Sequence, residues 1–188
     1  MTIAVTAHMP ELTAIISPVK LSHYLVRTTR YDTMKEWYKT VLGAAVVFES
    51  DKICLLTFDT EHHRVAVLRV DGEHAPLPAT NGIEHVAFTY AGLDDLVATY
   101  ERLKSEGILP TACINHGPTT SIYYSDPDGN HLELLTDNFP NVAELQAWFE
   151  TGAHEAHPKG VPFDPDVLAR KLHQSVPACE LLKQGATD

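Results

Sequence analysis

Two stretches of this sequence follow one pattern, "SHYLVRTTRYDTMKEWYKTVLG" (22–43) and "EHVAFTYAGLDDLVATYERLKSEG" (84–107). Each begins with a histidine in an apolar run typical of a strand and continues into a run with helical periodicity. Tyr38 follows His23 at the same spacing at which Tyr100 follows His85. The repeat therefore indicates two similar supersecondary units in one chain.

Both helical runs carry an apolar stripe at the spacing of one helix face. In the first run, Thr33 and Glu36 predict a capping box and Gly43 predicts the helix end. In the second run, Asp94 lies in the predicted first turn, and Gly107 marks the end. The stripes consist of Met34, Trp37, Tyr38, Val41 and Leu42, and of Leu93, Leu96, Val97, Tyr100 and Leu103.

Three short β-rich runs follow each helix, so each unit is predicted to be a βαβββ module in an α+β fold. The modules span residues 18–71 and 82–137, and the Pro- and Gly-rich connector "DGEHAPLPATNG" separates them. The runs are "AAVVFES", "KICLLTFD" and "HHRVAVLRV" in the first module, and "ILPTACI", "TSIYYS" and "NHLELLT" in the second.

The composition changes after Asp137, and residues 138–188 are predicted to form a helical C-terminal extension. The runs "NVAELQAWFE" and "DPDVLARKL" indicate two helices, the second with Asp164 as its N-cap and Pro165 at its first position. We expect this extension to serve packing or subunit contact and to carry no chemistry.

Length, charge and cysteine content narrow the class of protein. A chain of 188 residues can bury a sizeable core, and its net charge of −11 argues against nucleic acid or an anionic membrane as partner. Three scattered cysteines suit neither a disulfide framework nor a zinc knuckle. The N-terminal stretch lacks the features of a signal peptide, so a cytoplasmic protein is expected.

Strand periodicity predicts that His23, His85 and Glu133 point into the interior, each from an apolar strand. Taken singly, each histidine is explained as a hydrogen-bonded core residue, and Glu133 by an ion pair with Arg69 or another base. One divalent metal would satisfy all three groups, and two histidines with one carboxylate match the non-heme Fe(II) facial triad. Their same-face neighbours are Val19, Leu21 and Leu25, Ile83 and Ala87, and His131 and Leu135.

The stretch "INHGPTTSIYYSDPDGNHLEL" (114–134) carries a family resemblance. Together with the two modules it resembles the vicinal oxygen chelate superfamily, and within it the signature of type I extradiol ring-cleavage dioxygenases. The resemblance covers residues 18–137 and implies one domain formed by the paired modules. The signature positions present here are Ile114, Asn115, His116, Ile122, Tyr123, Asp126, Pro127, Gly129 and Glu133.

The resemblance implies roles for individual residues. His23, His85 and Glu133 match the metal ligands of that family, which bind Fe(II), with Mn(II) left open. His116 and Tyr123 match residues that hydrogen-bond the substrate and O2. The pair "HH" at 62–63 matches a double histidine whose second member, His63, is the acid–base catalyst; a solvated strand start is the alternative. Likewise, His116 is an exposed turn residue if the signature match is accidental.

The implied function is Fe(II)-dependent extradiol cleavage of a catechol-type aromatic diol with O2, in a protein expected to be a homo-oligomer. The strand "RVAVLRV" offers no carboxylate, which disfavours the four-ligand glyoxalase site. Two alternatives stay open: a glyoxalase-like metal-dependent lyase, isomerase or thiol transferase, and a metal-free binding protein of the bleomycin-resistance type. Large relatives carry four modules, whereas this chain has two.

Overall fold

The computed structural model describes residues 18–74 and 82–187, and the first module has the predicted βαβββ order. The helix carries the predicted stripe: Met34, Tyr38 and Val41 are buried, whereas Trp37 and Leu42 are partly buried. The elements of this module are β1 (Tyr24–Thr28), α1 (Tyr31–Leu42), β2 (Ala45–Glu49), β3 (Ile53–Thr57) and β4 (Val65–Arg69).

The second module repeats this order, and all five predicted stripe residues of its helix are buried. The α+β architecture with two sheets is therefore confirmed. The elements of this module are β5 (His85–Thr89), α2 (Leu93–Ser105), β6 (Ala112–Asn115), β7 (Thr119–Ser125) and β8 (His131–Asp137).

Each module forms its own sheet, in which the first strand lies parallel to the last. The strand orders are β1-β4-β3-β2 and β5-β8-β7-β6-β9, where β9 is Val161–Pro162 of the C-terminal extension, so β1 and β5 are both edge strands. Within the described ranges, no strand pairing joins the two sheets. The position of one module relative to the other therefore depends on side-chain packing.

One apolar cluster joins the modules. It contains Tyr38 and Val41 of α1 together with Leu103 of α2 and Leu134 of β8, all almost completely buried. Arg102 of α2 also donates to the backbone carbonyls of residues 40 and 41, at the C-terminal end of α1. Burial of this shared apolar surface is the main force that holds the modules together.

The predicted helix ends are correct at one end of α1 and wrong at the other. Gly43 ends α1 in the left-handed conformation, with φ of 61°, as predicted. The Thr33/Glu36 capping box is wrong, because the helix already begins at Tyr31 and Arg30 is its N-cap. Thr33 thus lies inside the first turn, and the Glu36 carboxylate accepts from Lys39 instead.

The C-terminal extension contains the two predicted helices, α3 (Val142–Glu150) and α5 (Pro165–His173). Asp164 caps α5 by accepting from the backbone N–H groups of residues 166 and 167. Sequence analysis missed the two-residue strand β9 (Val161–Pro162), which pairs with β6 and extends the second sheet. Short helices α4 (Ala153–Ala156) and α6 (Ala178–Leu181) complete the extension.

A second apolar cluster anchors the extension to the second module. Leu168 and Ala169 of α5 pack with Leu93 and Val97 of α2 and with Leu181 of α6. Most of the predicted connector, residues 75–81, and the N-terminal residues 1–17 lie outside the described residues. In the part of the chain that is described, no helix is both long and apolar enough to cross a membrane.

Candidate metal and catalytic site

The tight turn between β7 and β8 places Tyr123 directly opposite Glu133 in the antiparallel register. The N–H of Asp126 donates to the carbonyl of Asn130 at 2.9 Å, and the N–H of Gly129 donates back to Asp126 at 3.0 Å. Gly129 has a φ of +94°, a conformation that glycine adopts without strain. The turn therefore lets Tyr123 and Glu133 face each other on adjacent strands.

Glu133 is 6% exposed, and each of its carboxylate oxygens has a partner. Oε2 lies 3.0 Å from Nε2 of His85, and Oε1 accepts from the Tyr123 hydroxyl at 2.8 Å. The predicted ion pair between Glu133 and Arg69 is wrong, because the Arg69 guanidinium contacts the Asp51 carbonyl and the Asp32 carboxylate. The buried carboxylate therefore faces a histidine nitrogen, as a shared metal site requires.

His116 extends this arrangement by one hydrogen bond. Its Nε2 lies 2.8 Å from the Tyr123 hydroxyl, which donates its single proton to Glu133. The His116 tautomer that carries its proton on Nε2 would then donate to the Tyr123 oxygen. Burial, and then the Glu133 carboxylate, raise the pKa of Tyr123 far above its ordinary value, so the phenol stays protonated at neutral pH.

The loop that holds His116 is braced by residues that sequence analysis did not assign to the site. Asn115 is buried, and its side-chain oxygen accepts from the Gly117 N–H and from Asn138. The ring of Trp148 in α3 lies against Gly117, where an added Cβ would come within 2.3 Å of it. The C-terminal extension thus packs against the loop that holds His116. In the sequence, the one signal for such a contact is the apolar character of α3.

His23 lies one residue before β1, beside the histidine pair of the first module. His23, His62 and His63 offer nitrogen atoms that all lie within 4.8 Å of one another. The Nδ1 atoms of His62 and His63 are 2.6 Å apart, and the rings of His23 and His63 are 4.1 Å apart between centroids. In the described parts of the chain, His23, His62 and His63 are the residues whose potential metal-binding atoms lie this close together.

His63 is the less exposed member of the pair, and His62 is exposed. Burial lowers the pKa of His63 below the ordinary histidine value of 6.5, and the charges of His23 and His62 lower it further. His63 is therefore neutral at pH 7 and able to accept a proton.

The prediction that His23 and His85 point into the interior from the covered face of their strands is wrong. The opposite side of β1, with Tyr24, Val26 and Thr28, packs into the protein. On the histidine side, Val19 is 97% and Ile83 is 84% exposed. Strand alternation identifies the side chains that share one face of a sheet. The helices of both modules, however, cover the face opposite to the histidines. The candidate site therefore lies on the open face of the sheets.

The two halves of the predicted ligand set lie on different modules. His85 and Glu133 are in contact, whereas His23 groups with His62 and His63. A shallow pocket of about 200 Å³ lies between the modules, and His23, Phe58 and Ala87 are among its lining residues. His23 thus lines the same pocket as the strand that begins with His85.

The strand registers identify the counterpart of Glu133 in the first module. Ala87, two residues after His85, pairs with Glu133, whereas Leu25, two residues after His23, pairs with Ala66. Ala66 is buried and apolar, so the first module supplies no second carboxylate at that place. Of the four positions that the repeat offers, the one at Ala66 therefore carries no side chain able to bind a metal.

A model of the glyoxalase/bleomycin resistance protein/dioxygenase superfamily matches residues 20–134. Solved structures with this fold include a glyoxylase/bleomycin resistance protein/dioxygenase domain from Frankia sp. EAN1pec. That structure has a TM-score of 0.58 at 18% identity and covers 66% of this chain and 96% of its own. A lactoylglutathione lyase from Agrobacterium tumefaciens has a TM-score of 0.51 at 16% identity, over 63% and 94% of the chains. At these identities the likeness concerns the fold alone.

Two curated relatives are much more similar in sequence. Biphenyl-2,3-diol 1,2-dioxygenase 2 of Rhodococcus globerulus is 44% identical over 159 residues, which is 84% of each chain. Biphenyl-2,3-diol 1,2-dioxygenase 3 of the same organism is 42% identical over 164 residues, 86% of each chain. The chain therefore belongs to the glyoxalase/bleomycin resistance protein/dioxygenase superfamily and, within it, to the extradiol ring-cleavage dioxygenases.

Proposed function

We propose that this protein binds one Fe(II) through His23, His85 and Glu133 and cleaves a catechol-type aromatic diol beside one of its hydroxyl groups. The observation that carries the proposal is the buried Glu133 carboxylate, held between His85 and Tyr123. The apolar Ala66 at the equivalent place in the first module supports a site with three protein ligands.

The residues present fit such a metal. The two donor atoms that face each other, His85 Nε2 and Glu133 Oε2, are the types that a two-histidine, one-carboxylate site uses. His23 would supply the second imidazole from the facing module. When bound, Fe(II) provides open positions at which a diol and O2 can be held together, and it lowers the pKa of a bound hydroxyl. Mn(II) suits the same donors.

The three remaining side chains would handle protons around the diol. His63, neutral at pH 7, would accept a proton from a diol hydroxyl and return it later. Tyr123 would redirect its O–H from Glu133 to an oxygen on which negative charge develops. His116 would donate to a diol oxygen or support Tyr123 through the bond between them.

The proposed substrate is an uncharged aromatic diol. The curated relatives are named for biphenyl-2,3-diol, and the open face beside the candidate ligands presents apolar side chains, among them Leu21, Leu25 and Ile83. A chain with a net charge of −11 would repel a phosphorylated or strongly anionic substrate. The expected homo-oligomer stays a prediction, to be measured by light scattering.

The decisive experiment uses protein purified without oxygen and loaded with Fe(II). Catechol, 3-methylcatechol and 2,3-dihydroxybiphenyl are added in turn, and O2 uptake is followed with the yellow ring-opened product. With ¹⁸O2, both labelled atoms should enter that product. Absence of uptake with every diol, together with glutathione-dependent isomerisation of a 2-oxoaldehyde, would instead establish the glyoxalase-like function.

His23, His62 and His63 form a second candidate metal site, because they also bring three nitrogen donors together. Variants of the two sites distinguish between them. Metal content should be measured in the His85→Gln and Glu133→Gln variants and in the His62→Gln and His63→Gln variants. Loss of metal in the first two variants alone supports the proposed ligand set. Loss in the second two alone would assign the metal to the histidine group of the first module.

A further inference from the structure

Two side-chain contacts join the first module to the turn that carries the site residues of the second. The Tyr38 hydroxyl donates to Oδ2 of Asp126 at 2.9 Å. Arg30 contacts Oδ1 of Asp128 through Nε at 2.9 Å and through Nη2 at 2.8 Å. These four residues are called the inter-module clamp below. Both carboxylates of the clamp lie in the turn between Tyr123 and Glu133.

Asp126 also builds the turn itself. Its Oδ1 accepts from the backbone N–H of Asp128 at 2.9 Å and of Asn130 at 2.8 Å, and its Oδ2 accepts from the Asn130 side chain at 2.7 Å. Asp126 is buried, so these bonds form where water competes little. A single carboxylate therefore fixes the turn and ties it to Tyr38.

The same tyrosine reaches the strand that follows His23. The ring of Tyr24, the residue after His23, packs edge-on to the Tyr38 ring with centroids 6.2 Å apart. Tyr24 also packs against Phe88 of β5, the strand that begins with His85, at 6.1 Å. The segments that bear the three candidate ligands thus meet around Tyr24 and Tyr38.

We propose that Tyr38 and Arg30 are positioning residues, which fix His23 of the first module relative to His85 and Glu133 of the second. This inference rests on the proposed ligand set. It follows from the topology: within the described ranges the two sheets share no strand pair, so backbone hydrogen bonds do not set this separation. The inter-module clamp does so at the turn nearest to Glu133.

The repeat supplies a matched control. Tyr100, the counterpart of Tyr38, also donates its hydroxyl to a carboxylate, that of Asp166, at 2.8 Å. A basic residue, Lys104, contacts the same carboxylate at 2.6 Å. This group ties α2 to α5 of the C-terminal extension and contains none of the candidate ligands. It resembles the clamp in chemistry and differs from it in location.

The test compares the Arg30→Gln/Tyr38→Phe variant with the Tyr100→Phe/Lys104→Gln variant. Metal affinity is measured without oxygen by titration with Fe(II), and with Co(II), whose absorption spectrum reports the ligand geometry. Melting temperature, kcat and KM for 2,3-dihydroxybiphenyl are measured in parallel. The single variants Arg30→Gln and Arg30→Lys are included in case the double variant does not fold.

In the clamp variant, we expect metal affinity to fall about tenfold, as when other supporting partners of ligands are removed. The value of kcat should fall on the order of 100-fold, the size typical for misplaced reacting groups. Arg30→Lys should recover part of the loss. The control variant should lower the melting temperature but keep the wild-type affinity, Co(II) spectrum and kcat.

Unchanged affinity, spectrum and kcat in Arg30→Gln and the clamp variant would overturn the inference and leave the proposed function intact. Equal losses in the clamp and control variants would also overturn it, because they would indicate general destabilisation. A wild-type protein that binds neither metal ion would overturn both this inference and the proposed ligand set.

Discussion

Tyr123 and Glu133 lie directly across from each other on β7 and β8, and the tyrosine hydroxyl donates to Glu133 Oε1 at 2.8 Å. A buried carboxylate in an apolar strand is costly unless it is paired. In this protein the pairing joins a proposed metal ligand to a proposed proton donor. One hydrogen bond therefore couples the charge of Glu133 to the orientation of Tyr123.

Removing the charge of Glu133 should remove the metal. The Glu133→Gln variant keeps the side-chain volume but loses the anionic donor that faces His85. We expect Fe(II) affinity to fall by at least the order of 100-fold, the upper end for loss of a residue that only supports a ligand, with little change in fold. Anaerobic metal titration and circular dichroism test this, with Asp137→Asn at the exposed end of β8 as control. Full iron occupancy in Glu133→Gln would contradict the ligand assignment.

Removing the Tyr123 hydroxyl should slow turnover without releasing the metal. We expect Tyr123→Phe to lower kcat on the order of 100-fold, the size typical for one preorganised donor. Tyr124→Phe is a close control, because the neighbouring hydroxyl is buried with no hydrogen-bond partner in the described part of the chain. If both variants turned over at the wild-type rate, Tyr123 would have no role in the chemistry.

The pH dependence of kcat/KM should report on His63. A base works in its neutral form, and burial together with neighbouring charge lowers the pKa of His63 below 6.5. Activity should therefore persist below pH 6.5 and fall only as the pH drops through that lowered pKa.

The two histidines of the pair can be separated by substitution. His63→Gln should lower kcat by about 10²-fold or more, the range for a general base, and should abolish the acidic limb of the profile. His62→Gln should change kcat little, since His62 is exposed. The opposite pattern would move the catalytic role by one residue to His62.

Gly117 should be essential for the contact between α3 and the His116 loop. Gly117→Ala places a methyl group within 2.3 Å of the Trp148 ring, at a φ of +95°. Gly129→Ala is a matched control, because its φ is +94° and nothing lies within 4 Å of the added atom. Backbone strain is thus similar, and we expect an additional loss of about 1–3 kcal/mol in Gly117→Ala from overpacking. Chemical denaturation measures the free energy of unfolding of both variants. Equal losses of stability would mean that the Trp148 ring moves aside without cost.

Local sequence signals predicted the elements well. The helical stripes of both modules, the Gly43 helix end and the Asp164 cap of α5 each depend on residues close together in the chain. The prediction of a capping box at Thr33 was wrong because the helix begins two residues earlier. Tyr31 is already helical and its side chain is buried, so Arg30 is the N-cap. Strand β9 was missed because two residues carry no periodicity and pair only with a distant strand.

The sequence by itself determined the repeat, the α+β modules and the candidate residues. The periodicity of strands and helices and the signature are patterns of residues that lie close together in the chain. Only the tertiary structure decided which sheet face is covered, which partners Glu133 has, and that His23 groups with His62 and His63. It also decided that Tyr38 reaches Asp126 of the other module. These contacts join residues far apart in the chain, and their geometry depends on how two sheets without a shared strand pair pack around one core.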